Sequence, residues 1–324
     1  MSQPKVFVTR QLPASLAELE AVAEVTLWPE RQPPPYSVLQ EQSQRCQGIL
    51  CLLTDPIDAA LIERSTLKVI SQMAVGYDNI AVQTATACGI PVGHTPGVLT
   101  EATADLTWAL LMAAARRVVE GDCYTRSGQW STWEPDLLLG PDVAGATLGI
   151  VGLGRIGQAV ARRAGGFGMR ILYSAPTAVS PEVEQALLAK HTDLNTLLRE
   201  SDFITLHTPL NSATHHLFSA AQFQQMKPTA ILINTARGAI VDQAALYQAL
   251  QAGQIAGAAL DVTDPEPTPL SEPLLTLPNV IVTPHIGSAS RQAREKMAKI
   301  AIANLIAGLQ NQPLPYCVNP EVYG

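Results

Sequence analysis

What this chain lacks removes whole classes of function. No basic run interrupts a sequence whose 28 acidic and 21 basic side chains leave a net charge of −7, so neither nucleic acid nor an anionic membrane surface is expected as a partner. No apolar stretch is long and uninterrupted enough for a bilayer, since the most apolar segment, Val98 to Ala115, carries Glu101 and Asp105. The five cysteines, Cys46, Cys51, Cys88, Cys123 and Cys317, are odd in number and have no zinc-site, redox-pair or disulfide-framework spacing. No metal is therefore expected, and scattered thiols suit a reducing, cytoplasmic compartment. Cys46 and Cys51 are expected as small buried residues. The opening Met1-Ser-Gln-Pro-Lys-Val-Phe-Val-Thr9 has no signal-peptide anatomy and reads directly as a strand. Repeats are missing too, and the one biased tract, Pro33-Pro34-Pro35, is expected to be a loop.

What is present describes a globular α/β protein: 47% hydrophobic residues, 15% charged, and 324 residues, a length that suggests two domains. Apolar runs at Lys5–Thr9, Val25–Trp28, Gly48–Leu53 and Val69–Met73 alternate with helical patterns near Ser15–Ala23 and over Ile57–Arg64. Such alternation predicts a parallel sheet with helices on both faces. The turn-rich Pro91 to Gly97 reads as a crossing between domains, and Thr100 to Arg117 as a long helix apolar nearly all round, hence buried. Trp130 and Trp133 fall in a loop, either as anchors of an interface or packed on their own subunit. A second alternation follows, with strands at Met169–Tyr173, Phe203–His207, Ala230–Asn234, Ala256–Val262 and Val280–Thr283. Helices are expected near Asp193–Arg199 and Ser219–Met226, from Asp242 to Gly253, and over residues 290 to 310, the last returning to the first lobe.

The chain is organised around Leu148 to Gly157, where β-forming residues run into Gly152-x-Gly154-x-x-Gly157 and then into a helix facing inward through Ile156, Ala159 and Val160. On a strand-to-helix turn these glycines have separate duties. Gly152 permits the tight turn, Gly154 lets backbone N–H groups approach a pyrophosphate, and Gly157 lets helix and sheet pack closely. The helix N-terminus then offers unpaired donors and the positive end of its dipole to phosphate.

Polar residues gather at three later strand ends: Arg237 after Ile231-Leu-Ile-Asn, Asp261, Asp264 and Glu266 after Gly257-Ala-Ala-Leu, and His285 after Val280-Ile-Val-Thr-Pro. In a doubly wound sheet these termini share one edge beside the glycine turn. An arginine fork grips the carboxylate of a keto acid, a histidine donates the proton its reduced carbonyl needs, and a neighbouring glutamate favours the protonated ring. Each residue also has a plainer reading, as a surface ion pair, a turn cap or a loop histidine. His207 ends a strand and lines a crevice at most, while His94, His191, His215 and His216 are expected to be structural or exposed. In the first half, Leu53-Thr-Asp55 and Ala74 to Asn79 lie at strand ends where ligands bind, and Gly76 suits either close backbone approach or an ordinary turn.

Five blocks, Val75-Gly-Tyr-Asp-Asn-Ile80, Gly152 to Gly157, Asn234-Thr-Ala-Arg-Gly238, Asp261-Val-Thr-Asp-Pro-Glu-Pro267 and Pro284-His-Ile-Gly-Ser288, make the chain resemble the D-isomer-specific 2-hydroxyacid dehydrogenases over essentially its whole length. Trp130 to Pro135, Asp261-Val-Thr-x-Pro-Glu-Pro267 and Pro273 to Leu277 look most like the glyoxylate/hydroxypyruvate reductase branch. The resemblance implies two doubly wound parallel-sheet domains: a Rossmann dinucleotide-binding domain, residues 98–287, inserted into a flavodoxin-like substrate domain, residues 1–97 and 288–324. It implies Arg237, Glu266 and His285 as catalytic residues and the backbone N–H groups of Val75 and Gly76 on the substrate carboxylate. Cofactor contacts are implied from Thr103, Arg155, Ile156, Thr208, Pro209, Thr235, Ala236, Asp261 and Gly287. It implies a homodimer as well, with the helix from Thr100 at the seam and Trp133 near the partner's site.

One departure bears on the cofactor. NAD-selective members end their second strand with an acid, whereas here it ends Leu172-Tyr-Ser174-Ala-Pro-Thr177. Ser174 and Thr177 can donate to a 2′-phosphate that no carboxylate repels, although the arginine of NADP-preferring members is absent too. NADP(H) is therefore favoured, with NAD(H) tolerated. The expected reaction is reduction of a small 2-keto acid such as glyoxylate or hydroxypyruvate to the D-2-hydroxy acid. Two alternatives stay open: a sibling enzyme of the phosphoglycerate, D-lactate or formate type, and a non-catalytic dinucleotide sensor resembling the co-repressors of this fold.

Overall fold

The computed structural model describes residues 3–324; Met1 and Ser2, at the head of the expected first segment, lie outside the described residues. The chain divides into two compact units, one running to Leu99 and resuming over Ala289–Gly324, the other spanning Thr100–Ser288.

In the first unit the elements run β1 (Lys5–Val8), α1 (Ala17–Glu20), β2 (Glu24–Leu27), α2 (Tyr36–Ser43), β3 (Gly48–Cys51), α3 (Ala59–Glu63), β4 (Val69–Gln72), α4 (Val82–Ala87) and β5 (Val92–Gly93). These five strands pair with one another in parallel, in the order β2-β1-β3-β4-β5. Phe7, Ile49, Ile70 and Val92 meet Leu39, Leu61 and Ile62 in one buried layer. The inner strands β1, β3 and β4 are buried on both faces and read as mostly apolar runs, as parallel sheets do, whereas the edge strand β2 is partly exposed.

The second unit follows as α5 (Thr100–Ala115), α6 (Val118–Arg126), β6 (Thr147–Val151), α7 (Arg155–Ala164), β7 (Arg170–Ser174), α8 (Pro181–Leu187), β8 (Ala189–His191), α9 (Leu194–Glu200), β9 (Phe203–Leu206), α10 (Ala220–Phe223), β10 (Ile231–Asn234), α11 (Gln243–Gln251), β11 (Gly257–Leu260) and β12 (Val280–Val282). Its seven parallel strands stand in the order β12-β11-β10-β9-β6-β7-β8. Side chains alternate between two cores. Ile231 and Ile233 face Ala104, Leu111 and Val160, whereas Leu232 faces Phe218, Phe223 and Leu246. The acids that interrupt α5 stay outside, where Glu101 and Asp105 pair with Arg162 and Arg163 of α7.

Back in the first unit, α12 (Arg291–Leu309) starts at Ser290, whose side chain accepts from Ala293 N. It lies so close to β4 that a Cβ on Gly308 would overlap the Val69 side chain. Ser71 Oγ donates to Ala301 O at 2.8 Å across the same seam.

Several elements depart from the sequence-based expectation. The helix over Ser15–Ala23 shrinks to α1; α2, α4, α6, α8 and β8 carry too few buried side chains to show a period, and β5 is too short for one. Pro91 to Gly97 is not turn throughout, because Val92–Gly93 pairs with β4. The long helix stops at Ala115, since Arg117 adopts a left-handed φ of 51° before α6 begins. Among the described residues no helix is long and apolar enough to cross a membrane.

Candidate active site

The glycine turn is built as its spacing predicts. Gly152 leaves β6 at φ 94°, with its backbone against the His207–Thr208 peptide, where a Cβ would sit 2.9 Å from Thr208 N. A Cβ on Gly157 would overlap the Gly152 carbonyl, so helix and strand pack closer than any side chain permits. By contrast, nothing lies within 4 Å of the Cβ position on Gly154, the N-cap of α7. The turn thus offers an open cradle at the start of a ten-residue helix whose first N–H groups lack intrahelical partners.

Parallel register brings the three polar strand ends to one level, because Asn234 stands beside Leu260 and Leu260 beside Val282. Buried Asn234 folds the chain after β10: its Nδ2 donates to Arg237 O at 2.8 Å and its Oδ1 accepts from Ala236 N at 3.0 Å. Arg237 Nη1 donates to Ala236 O at 2.8 Å. The next residue, Gly238, rests on the Thr263–Asp264 backbone. That contact joins the arginine loop to the loop bearing Glu266.

Glu266 and His285 meet directly, with His285 Nδ1 2.8 Å from Glu266 Oε2 and the two side chains 31% and 25% exposed, respectively. Since the carboxylate is the acceptor, Nδ1 carries the hydrogen, and Nε2 is the end of the ring that can exchange a proton with a ligand. Glu266 Oε1 accepts from Thr263 N at 3.2 Å, which aims the carboxylate. His285 itself takes a left-handed φ of 52°. Asp261 holds it there: buried beneath the loop, its Oδ1 accepts from Ile286 N and Thr283 Oγ1, its Oδ2 from Gly287 N, and its carbonyl from His285 N. The carboxylate of Asp261, implied as a cofactor contact, is thus occupied by the His285 loop.

The remaining implied cofactor residues differ in access. Arg155, Thr177 and Pro209 are exposed and Ile156, Ser174, Thr208 and Ala236 half-buried, whereas Thr103, Thr235 and Gly287 are interior. Thr235 Oγ1 lies 2.9 Å from Thr107 Oγ1, and a Cβ on Gly287 would lie 3.5 Å from Thr103 Cγ2. His207 Nε2 lies 2.7 Å from Thr205 Oγ1, and burial pushes its pKa down to about 3, so its ring is neutral. Among the described residues no three metal-ligating side chains cluster.

In the first unit, Val75 and Gly76 are both half-buried in the loop after β4, and their N–H groups donate to no protein group among the described residues. His94, expected to be structural or exposed, lies 3.1 Å from Val75 O through Nδ1. Sequence reasoning passed over it because a lone histidine between turn residues gives no pattern.

A seven-stranded parallel sheet with an open glycine turn and a guanidinium, a carboxylate and an imidazole on one edge defines a dinucleotide-dependent dehydrogenase. Residues 108–287 match the model of the D-isomer specific 2-hydroxyacid dehydrogenase NAD binding domain. The chain is 52% identical over 323 residues to the glyoxylate reductase of Korarchaeum cryptofilum, covering 99% of this chain and 97% of that protein. A Thermus thermophilus protein of known structure superposes with a TM-score of 0.90 at 49% identity, covering 97% of this chain and 99% of that one. The NADPH-dependent glyoxylate/hydroxypyruvate reductase of Sinorhizobium meliloti, solved with NADP and malonate, gives 0.87 at 32%, covering 98% of each. This chain belongs to the D-isomer specific 2-hydroxyacid dehydrogenase family.

Proposed function

We propose that the protein reduces glyoxylate and hydroxypyruvate to their 2-hydroxy acids, favouring NADPH over NADH. One observation carries the reading: the Glu266–His285 pair, at 2.8 Å, stands on the same sheet edge as Arg237 in a chain similar throughout its length to glyoxylate reductases. The open space at Gly154 and the strand end at Ser174, free of carboxylate, fit a dinucleotide bearing a 2′-phosphate. When bound, the reduced nicotinamide supplies the hydride that adds to the keto carbon.

The chain's own residues do the rest. The Arg237 guanidinium, anchored to Ala236 O, pairs with the substrate carboxylate and draws electron density from the adjoining carbonyl. His285 delivers the proton from Nε2 to the carbonyl oxygen as negative charge develops there. Glu266 balances the charge of the protonated ring and keeps Nε2 pointing outward. Val75 and Gly76 N–H groups add donors for the carboxylate, and Asp261 holds the His285 loop without touching the reacting atoms.

Two copies pair through the surface around α6, which exposes Val118, Val119, Trp130, Leu139 and, at 79%, Trp133. A molar mass of one chain by light scattering would refute the pairing. The free cysteines fit a cytoplasmic setting. Oxidation of NADPH and NADH against glyoxylate, hydroxypyruvate, pyruvate and 3-phosphohydroxypyruvate tests the main reading. Cofactor binding without turnover of any of these would refute it and identify a sensor.

A further inference from the structure

The loop that carries Val75 and Gly76 is held from beneath by side chains that have no contact role in the proposed chemistry. Gln72, fully buried at the end of β4, donates from Nε2 to Gly76 O at 2.7 Å and to Asn79 Oδ1 at 2.6 Å. Asn79 returns the bond, its Nδ2 lying 3.0 Å from Gln72 Oε1, and also donates to Leu52 O at 3.1 Å and Asp55 O at 2.8 Å. Asp55 is itself buried and fastened by Thr9 Oγ1, Leu52 N and Arg10. One step earlier along the loop, His94 Nδ1 donates to Val75 O at 3.1 Å; a carbonyl only accepts, so Nδ1 carries the hydrogen.

Two consecutive carbonyls are therefore pinned. A trans peptide is planar, with the N–H of the following residue pointing opposite to its C=O, and neither of these bonds is cis. Pinning Val75 O to His94 turns the Gly76 N–H away from that ring, and pinning Gly76 O to Gln72 turns the Tyr77 N–H away from the protein interior. Glycine at 76 has no side chain to hold the loop by steric contact, so the carbonyl bonds decide where its donors point.

We propose that Gln72 and Asn79 form an amide clamp that positions the 75–77 loop for the substrate carboxylate, which makes them positioning residues for the keto acid and not for the cofactor. This rests on the reading of Val75 and Gly76 as carboxylate donors. Kinetics of the full-length variants Gln72→Met and Asn79→Ala test it, with glyoxylate as substrate and oxamate as a non-reacting carboxylate probe. Misaligned donors weaken charge-assisted hydrogen bonds, so the KM for glyoxylate and the Ki for oxamate rise together by about tenfold or more. The kcat at saturating glyoxylate stays within about threefold and the Kd for NADPH is unchanged, because acid and cradle lie in the other unit. In the double variant the effects sum to less than the two single effects, since either single variant already removes the Gln72–Asn79 bond pair.

Glyoxylate KM and oxamate Ki within about twofold of wild type in the folded variants would overturn the clamp, as would kcat and NADPH affinity falling together with them. Should Asn79→Ala lower the soluble yield, Asn79→Ser, which keeps one hydroxyl donor, is read by the same criteria. Absence of turnover in the wild type refutes the proposed function instead, and oxamate binding then still reads the clamp.

Discussion

Adding one methyl group at Gly238 tests the assembly of the proposed catalytic edge without touching any charged residue. A Cβ there would lie 2.6 Å from Asp264 N and closer still to the Thr263 carbonyl, whereas ordinary contact begins near 3.4 Å. Both neighbours are backbone, so no side chain can swing away and the two loops must part by about 1 Å. Thr263 N aims the Glu266 carboxylate, and Glu266 in turn aims His285. Displacement of that order in a positioned catalytic group costs about 10²-fold in rate, while the overpacking costs about 1–3 kcal/mol of stability. The expected Gly238→Ala protein is folded by circular dichroism, binds NADPH with wild-type Kd by fluorescence titration, and has kcat for glyoxylate lowered by about 10². A folded variant with kcat within about threefold of wild type would show that the Arg237 and Glu266 loops need not touch for catalysis.

Other consequences are as direct. His285→Ala lowers kcat by about 10² or more, as expected for a lost general acid, and leaves NADPH affinity unchanged; undiminished turnover would remove His285 from the mechanism. Ser174→Asp places a carboxylate where a 2′-phosphate is expected and raises the KM for NADPH by about tenfold or more without raising that for NADH. Equal changes in both constants would dissociate Ser174 from cofactor choice. His207 links folding to pH, because burial lowers its pKa from 6.5 to about 3. Below the upper value the unfolded chain binds a proton that the native ring refuses, so acidification removes up to about 1.4 kcal/mol of stability per pH unit until the lower value is reached. In His207→Gln that slope is absent, and urea unfolding shows the variant losing less stability than wild type between about pH 7 and about pH 4. Parallel loss in the two proteins would contradict a neutral, half-buried ring.

Much of the architecture was legible because its signals are local. Gly152, Gly154 and Gly157 stand between a β-forming run and a helix, and each has the surroundings its spacing demands: a left-handed turn, open space and a helix packed on a strand. Arg237, Glu266 and His285 follow apolar runs short enough to be strands, and parallel pairing carries such ends to one edge. Where the local signal was thin, the reading failed. Of the residues of α2 only Leu39 and Ser43 are buried, and β8 buries only Ala189, so neither shows a period.

The amino-acid order by itself thus determined the fold class, the glycine-rich turn and the identity of the three polar strand ends, since period, glycine spacing and strand-terminal position are properties of short segments. Only the tertiary structure decided what those groups do to one another. The carboxylate of Asp261 is taken up by the 283–287 loop, Gly238 fits because the Thr263 backbone leaves no room for a side chain, and Gln72 and Asn79 share bonds at the base of the 75–77 loop. Hydrogen bonds and close approaches of this kind depend on where distant segments come to rest, and no spacing along the chain encodes them.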